Sequence, residues 1–133
     1  MKYLIICSIA VLLAAFVSCD TADPIVDNPN DTVIPNLAFT VDTTYLDSSA
    51  GRLVASGTVK NNGSAKVTTP WYVEAQFYTS KTSSTKLGGN STQIGVPLSS
   101  GQSTFWTIYY SSSNVDVKQY PNFGVKDIRG IYK

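Results

Sequence analysis

Residues 52–79 read RLVASGTVK, then NNGSAKVTTP, then WYVEAQFYT. In the first run Leu53, Ala55, Gly57 and Val59 fall on one side, with Ser56, Thr58 and Lys60 on the other. In the last run Trp71, Val73, Ala75 and Phe77 alternate with Tyr72, Glu74, Gln76 and Tyr78. A period of two marks a strand with one buried face. Between the runs, Asn61, Asn62 and Gly63 tolerate positive φ, and Pro70 stops the backbone ladder. The expectation is two antiparallel strands joined by a polar loop at the centre of an all-β domain. Their outward faces are polar and aromatic.

The flanking sequence continues the pattern. Residues 37–45 alternate Leu37, Phe39 and Val41 against Ala38, Thr40 and Asp42, giving a first strand; 47–51 is a turn cluster. Residues 82–90 are polar and carry Gly88-Gly89, so they read as a loop, with at most a short edge strand near Lys86-Leu87. Ile94, Val96 and Leu98 stand at period two, although Pro97 confines that segment to an edge or a strand end. Residues 99–102 are a turn, and 104–110 a strand with Trp106, Ile108 and Tyr110 as its core face. Residues 115–121 are ambiguous, and 122–133 supply a last strand or strand pair. No helix-length window from 37 onward carries apolar residues at i, i+3, i+4. Short strands punctuated by turn residues indicate an antiparallel β-sandwich of six to seven strands. About 97 residues suffice for a self-standing core.

Composition restricts the chemistry. The formal charge is +1 and the chain has no histidine, which removes the commonest general base and metal ligand and gives no field for nucleic acid. Within the expected strands the acids are Asp42, Glu74 and Asp127, and no spacing brings two of them together as a glycosidase requires. No catalytic residue, cofactor or metal site is expected, and the reading is non-enzymatic.

The N-terminus reads as an export signal. After Met1-Lys2 an apolar h-region of about 15 residues runs to Ser18. It is short for a spanning helix, which needs about 20 apolar residues. The sequence Phe16-Val17-Ser18-Cys19 resembles a bacterial lipobox, with Phe16 where Leu is usual. That resemblance implies cleavage before Cys19 and acylation of its sulfur. Cys7 leaves with the signal, so Cys19 is the only cysteine of the mature chain and no internal disulfide forms. Residues 20–36 hold three prolines and four Asp and read as an extended, solvated tether reaching at most about 60 Å. The run 27–32, DNPNDT, lacks the glycine and terminal glutamate of a calcium loop. The organisation expected is thus a signal peptide over 1–18, a lipidated tether over 19–36 and a sandwich over 37–133. Asp20-Thr21-Ala22, Asp31-Thr32-Val33 and Asp42-Thr43-Thr44 resemble the O-glycosylation acceptor pattern of Bacteroidetes, which implicates Thr21, Thr32 and Thr43.

From Leu37 onward the order L-x-A-x-G-x-V-x-N (53–61), V-x-A-x-F-Y (73–78) and PLSSGQSTFW (97–106) resembles the FxLYD-type and related immunoglobulin-like domains of bacterial lipoproteins. Thr79 stands where that family often has Asp, and Ser100-Gly101-Gln102 where it has Pro-Gly-Glu. The resemblance implies an immunoglobulin-like sandwich on a lipid-anchored protein of the bacterial envelope, in keeping with outer-membrane attachment through acyl chains. Three functional expectations follow: an interaction or accessory module for another envelope protein, a small carbohydrate-binding lipoprotein, or an assembly subunit that pairs through an edge strand. The second requires a platform of rings on adjacent strands, for which Tyr72, Tyr78 and Tyr109, with Phe105, have the outward parity.

Overall fold

Over residues 28–133, the part of the chain that the computed structural model describes, every long element is a strand. The expected signal segment, Cys19 and Thr21 lie outside the described residues. The strands are β1 (Thr32–Val33), β2 (Leu37–Asp47), β3 (Arg52–Asn61), β4 (Trp71–Tyr78), β5 (Lys86–Ile94), β6 (Ser103–Tyr110) and β7 (Gly124–Tyr132), with a 3-10 turn at Val117–Gln119. They form two antiparallel sheets, a four-stranded one in the order β1-β7-β4-β5 and a three-stranded one in the order β2-β3-β6. The result is an antiparallel β-sandwich on the immunoglobulin plan. β2, β3 and β6 correspond to strands A, B and E, and β5, β4 and β7 to C′, C and F, with β1 in the place of G.

The alternation seen in the sequence is what fills the space between the sheets. Leu53, Ala55 and Val59 of β3, Trp71, Val73, Ala75 and Phe77 of β4, and Trp106, Ile108 and Tyr110 of β6 are all buried. Phe77 sits between the rings of Tyr110 and Phe123, at 5.5 and 5.7 Å between centroids. Gly57 is required where β3 passes under Trp106. A Cβ there would lie 1.8 Å from the Thr40 carbonyl oxygen and 2.8 Å from the indole.

The structure departs from the sequence expectation in four places. First, β3 and β4 are not paired: β3 lies between β2 and β6, and β4 between β5 and β7. Parity tells which face of a strand is buried and is silent on its neighbour. The segment 62–70 is therefore a crossover between sheets rather than a hairpin loop. It is fixed by an antiparallel bridge between Val67 and Leu98 and by the buried amide of Asn61. Asn61 Nδ2 donates to the carbonyls of Ala65 (2.8 Å) and Leu98 (2.9 Å), and its Oδ1 accepts from Gly63 N (2.9 Å).

Second, Gly88-Gly89 lies inside β5 instead of turning the chain. Gly88 leaves room for the Tyr110 ring and Gly89 for the Gln76 amide, each of which would be within 3 Å of an added Cβ. Third, the 91–98 segment is strand only as far as Ile94, and Val96 is exposed. Fourth, the folded domain begins before residue 37. Thr32 and Val33 pair with Tyr132 and Ile131, Ile34 N donates to the Gly130 carbonyl (2.8 Å), and the Ile34 side chain is buried. The apolar triplet Val33-Ile34-Pro35 ends the Asp-rich stretch, and its burial outweighs the tether-like composition before it.

Candidate functional site

Tyr72 and Tyr78 stand on β4 of the four-stranded sheet, and Tyr109 on β6 of the three-stranded one. The two strands belong to different layers, so the three rings face opposite sides of the sandwich. The tyrosine platform is thereby overturned. Neither β4 ring offers an open face. Lys133 Nζ lies 4.6 Å over the centre of Tyr72, whose hydroxyl donates to Gln93 Oε1 at 3.4 Å. Tyr78 is buried, with Lys126 Nζ 4.8 Å over its ring and its hydroxyl donating to the Asp127 carboxylate. That hydrogen bond, with burial and the Asp127 charge adding to it, pushes the Tyr78 phenol up to about 12.

The outer face of the four-stranded sheet is a polar groove of about 430 Å³ lined by Glu74, Gln76, Lys86, Asp127, Ile128 and Arg129. It owes its shape to a bulge in β7: Glu74 faces Arg129 and Gln76 faces Lys126, so Asp127 and Ile128 together oppose Ala75. Asp127 takes a left-handed conformation there (φ 52°), which turns its carboxylate toward Tyr78. Glu74 is 1% exposed, and its Oε1 accepts from Arg129 Nε at 3.1 Å and its terminal nitrogen at 2.9 Å. Gln76 Oε1 is buried and has no hydrogen-bond partner among the described residues. Two carboxylates face two cations here, and each carboxylate already holds a donor. The chemistry is that of a neutral, internally paired surface that covers β4, and the expectation of an open polar face on that strand does not hold.

The opposite face is different. Across β2-β3-β6, Tyr45, Val54 and Tyr109 form one row and Thr40, Thr58 and Phe105 another. Phe105 is 81% exposed, Tyr45 50% and Tyr109 49%, while Val54 is covered between the two tyrosines. The rings of Tyr45 and Tyr109 rise two strands apart, roughly 10 Å. Arg52 lies 5.0 Å over Tyr109 and is held by Asp47 at 3.1 Å. Of the rings expected on the surface, Phe105 and Tyr109 are there.

Tyr45 was hidden from sequence reasoning. Unbroken alternation from Leu37 would send it inward with Phe39. A bulge between Val41 and Thr43 shifts the register and brings it to the outer face. Asp42, at that bulge, accepts from the hydroxyls of Thr40 (3.0 Å) and Thr58 (3.1 Å). Its presence among strand residues was the one available signal. Thr43 and Thr32 are both exposed.

β6 is the free edge of this face. Asn61 N donates to the Gln102 carbonyl (2.9 Å), and the Tyr109 carbonyl accepts from Asn90 Nδ2 (2.6 Å). Even-numbered residues of β6 thus turn their backbone groups to β3, and Ser103, Phe105, Thr107 and Tyr109 turn theirs outward. Among the described residues no group of three or more His, Cys, Asp and Glu is placed to hold a metal, and no helix is long and apolar enough to cross a membrane. Comparison with protein-family models, curated proteins and solved structures finds no match.

Proposed function

We propose that the chain is a non-enzymatic, lipid-anchored protein of the bacterial envelope whose sandwich is an interaction module, working through the outer face of β2-β3-β6. The observation that carries the reading is the concentration of exposed Phe105, Tyr45 and Tyr109 on that one face. On the other sheet a cation lies over each of Tyr72 and Tyr78 and Glu74 is paired with Arg129, whereas here a cation lies over Tyr109 alone and Phe105 and Tyr45 stay open. Aromatic residues on an uncovered sheet supply rigid contact area of the type that dominates protein interfaces. The anchor rests on the apolar run that ends in Phe16-Val17-Ser18-Cys19, and outer-membrane attachment follows from the lipoprotein resemblance. The absence of histidine from the chain and the internal pairing of the Glu74 and Asp127 carboxylates support a binding role over catalysis.

Two measurements test the reading. Metabolic labelling with a clickable palmitate analogue should mark the wild-type chain, and Cys19→Ala should lose the label and leave the membrane or accumulate as precursor. Photo-crosslinking from position 105 in intact cells should yield adducts that a probe at Gln93, on the other sheet, does not. An unlabelled wild-type chain removes the anchor, and equal adducts from both positions remove the face.

A further inference from the structure

We infer that β6 is a self-pairing edge: two copies of the chain join antiparallel along Ser103, Phe105 and Thr107, with Phe105 on the two-fold axis. The inference rests on the interaction-module reading and names the partner as a second copy.

Natural sheets protect their edges with bulges, charges, prolines or brevity. Among the described strands three of the four edges do so. β2 carries the bulge at Asp42, β5 carries Lys86 and an irregular register beside Gly88, and β1 is two residues long. β6 reads Ser-Thr-Phe-Trp-Thr-Ile-Tyr-Tyr, without charge, proline or register shift. Among the described residues its outward backbone groups are claimed only at Tyr109, by Asn90.

The chemistry of the edge is self-complementary. With the Tyr109 carbonyl occupied, the remaining outward residues Ser103, Phe105 and Thr107 are symmetric about Phe105. Antiparallel pairing of two copies sets Phe105 against Phe105 of the second copy, and Ser103 against Thr107 on either side. Aromatic–aromatic and Ser–Thr pairs are among the favourable cross-strand combinations, and with no charge on either strand none meets its like. The register closes about six backbone hydrogen bonds and joins the two three-stranded sheets into one. It also covers the most exposed aromatic ring of the domain, Phe105 at 81%. Three outward residues per copy fall well short of the roughly 1,200 Å² typical of a stable interface. Pairing is therefore governed by local concentration, which attachment to a membrane raises.

Cysteine crosslinking in membranes of cells making the full chain tests this. Opposed residues of a hydrogen-bonded antiparallel pair lie about 5.5 Å apart at Cα, within disulfide range. Phe105→Cys should give on mild oxidation about tenfold more disulfide dimer than Tyr45→Cys, an exposed position on the same face but away from the edge strand, with the wild-type chain setting the background of its own cysteines. Ser103→Cys and Thr107→Cys should each stay at background alone, since each lies roughly 13 Å from its own copy, and should link when produced together. Adding Thr107→Lys, an edge charge on an exposed position, should return Phe105→Cys to background. Dimer from Phe105→Cys no greater than from Tyr45→Cys, or undiminished by Thr107→Lys, overturns the inference. Fractionation of the same cells reports the anchor separately. A membrane-bound chain that fails to crosslink rejects strand pairing alone, and a chain absent from membranes rejects the anchored reading.

Discussion

Removing the side-chain amide of Asn61 should loosen the corner where the two sheets exchange chain. The residue is 1% exposed and ties three segments together through hydrogen bonds of 2.8, 2.9 and 2.9 Å. Asn61→Ala deletes all three, at about 1 kcal/mol each. Part of this is recovered. Leu98 O keeps its bond from Val67 N (3.0 Å), and water reaches the exposed Ala65. The expected loss is about 2–3 kcal/mol, or about 10–15 °C in Tm for a domain of this size. Asn61→Asp retains the acceptor for Gly63 but turns a carboxylate on two carbonyl oxygens, so the folded state holds this acid protonated and raises its pKa. Stability of that variant should therefore be best in acid and fall as pH rises through and above the ordinary Asp range near 3.9. Urea unfolding followed by the fluorescence of buried Trp71 and Trp106 measures both. An Asn61→Ala chain within about 0.5 kcal/mol of wild type would refute the view that this amide, rather than the crossover's own contacts, fixes the corner.

Three further outcomes concern β4. Phe77→Ala, which empties the space between Tyr110 and Phe123, should cost about 3–5 kcal/mol by denaturant unfolding. Gln76→Ala should also destabilise, by about 1 kcal/mol, since Gln76 is buried on the covered outer face; a neutral result would show that face to be open. The Tyr78 phenol is raised in the folded state to about 12 against an unfolded value near 10. The stability it contributes is complete below pH 10 and lost as pH rises from 10 to 12. Tyrosinate absorbance should show one late-ionising group that Tyr78→Phe removes, and a titration without it would deny the Tyr78–Asp127 bond.

What could be read in the sequence was the facing of residues. Leu53, Ala55 and Val59, the odd positions of β4, and Trp106 with Ile108 and Tyr110 all point where alternation sends them. The neighbours of each strand were not legible, because a period of two is the same whether β4 pairs with β3 or with β7. That ambiguity produced the tyrosine platform, whose members the topology separates. Bulges hid the rest. One extra residue at Asp42 reverses the facing of Tyr45, and another at Asp127–Ile128 turns an acid back onto Tyr78. Gly88-Gly89 carries turn chemistry in the sequence and serves instead to admit two large side chains, Gln76 from the adjacent β4 and Tyr110 from the opposite sheet.

β1 gives the domain a mechanical character. A pull on the N-terminal side of the sandwich enters through two paired residues, the Ile34–Gly130 hydrogen bond and the buried Ile34 side chain. The next hold is the Asn62–Asn36 bond at 2.9 Å, and behind it lies the long β2–β3 ladder that starts at Leu37. Stretching should thus release residues 32–35 first, drawing Ile34 out of the core and freeing at most about 14 Å of chain while the β2–β3 ladder still holds. The same event strips β7 of its outer neighbour and bares a fresh sheet edge from Ile131 to Tyr132. Tension at the N-terminus, as the proposed anchor would transmit it, would then change which edges the domain presents.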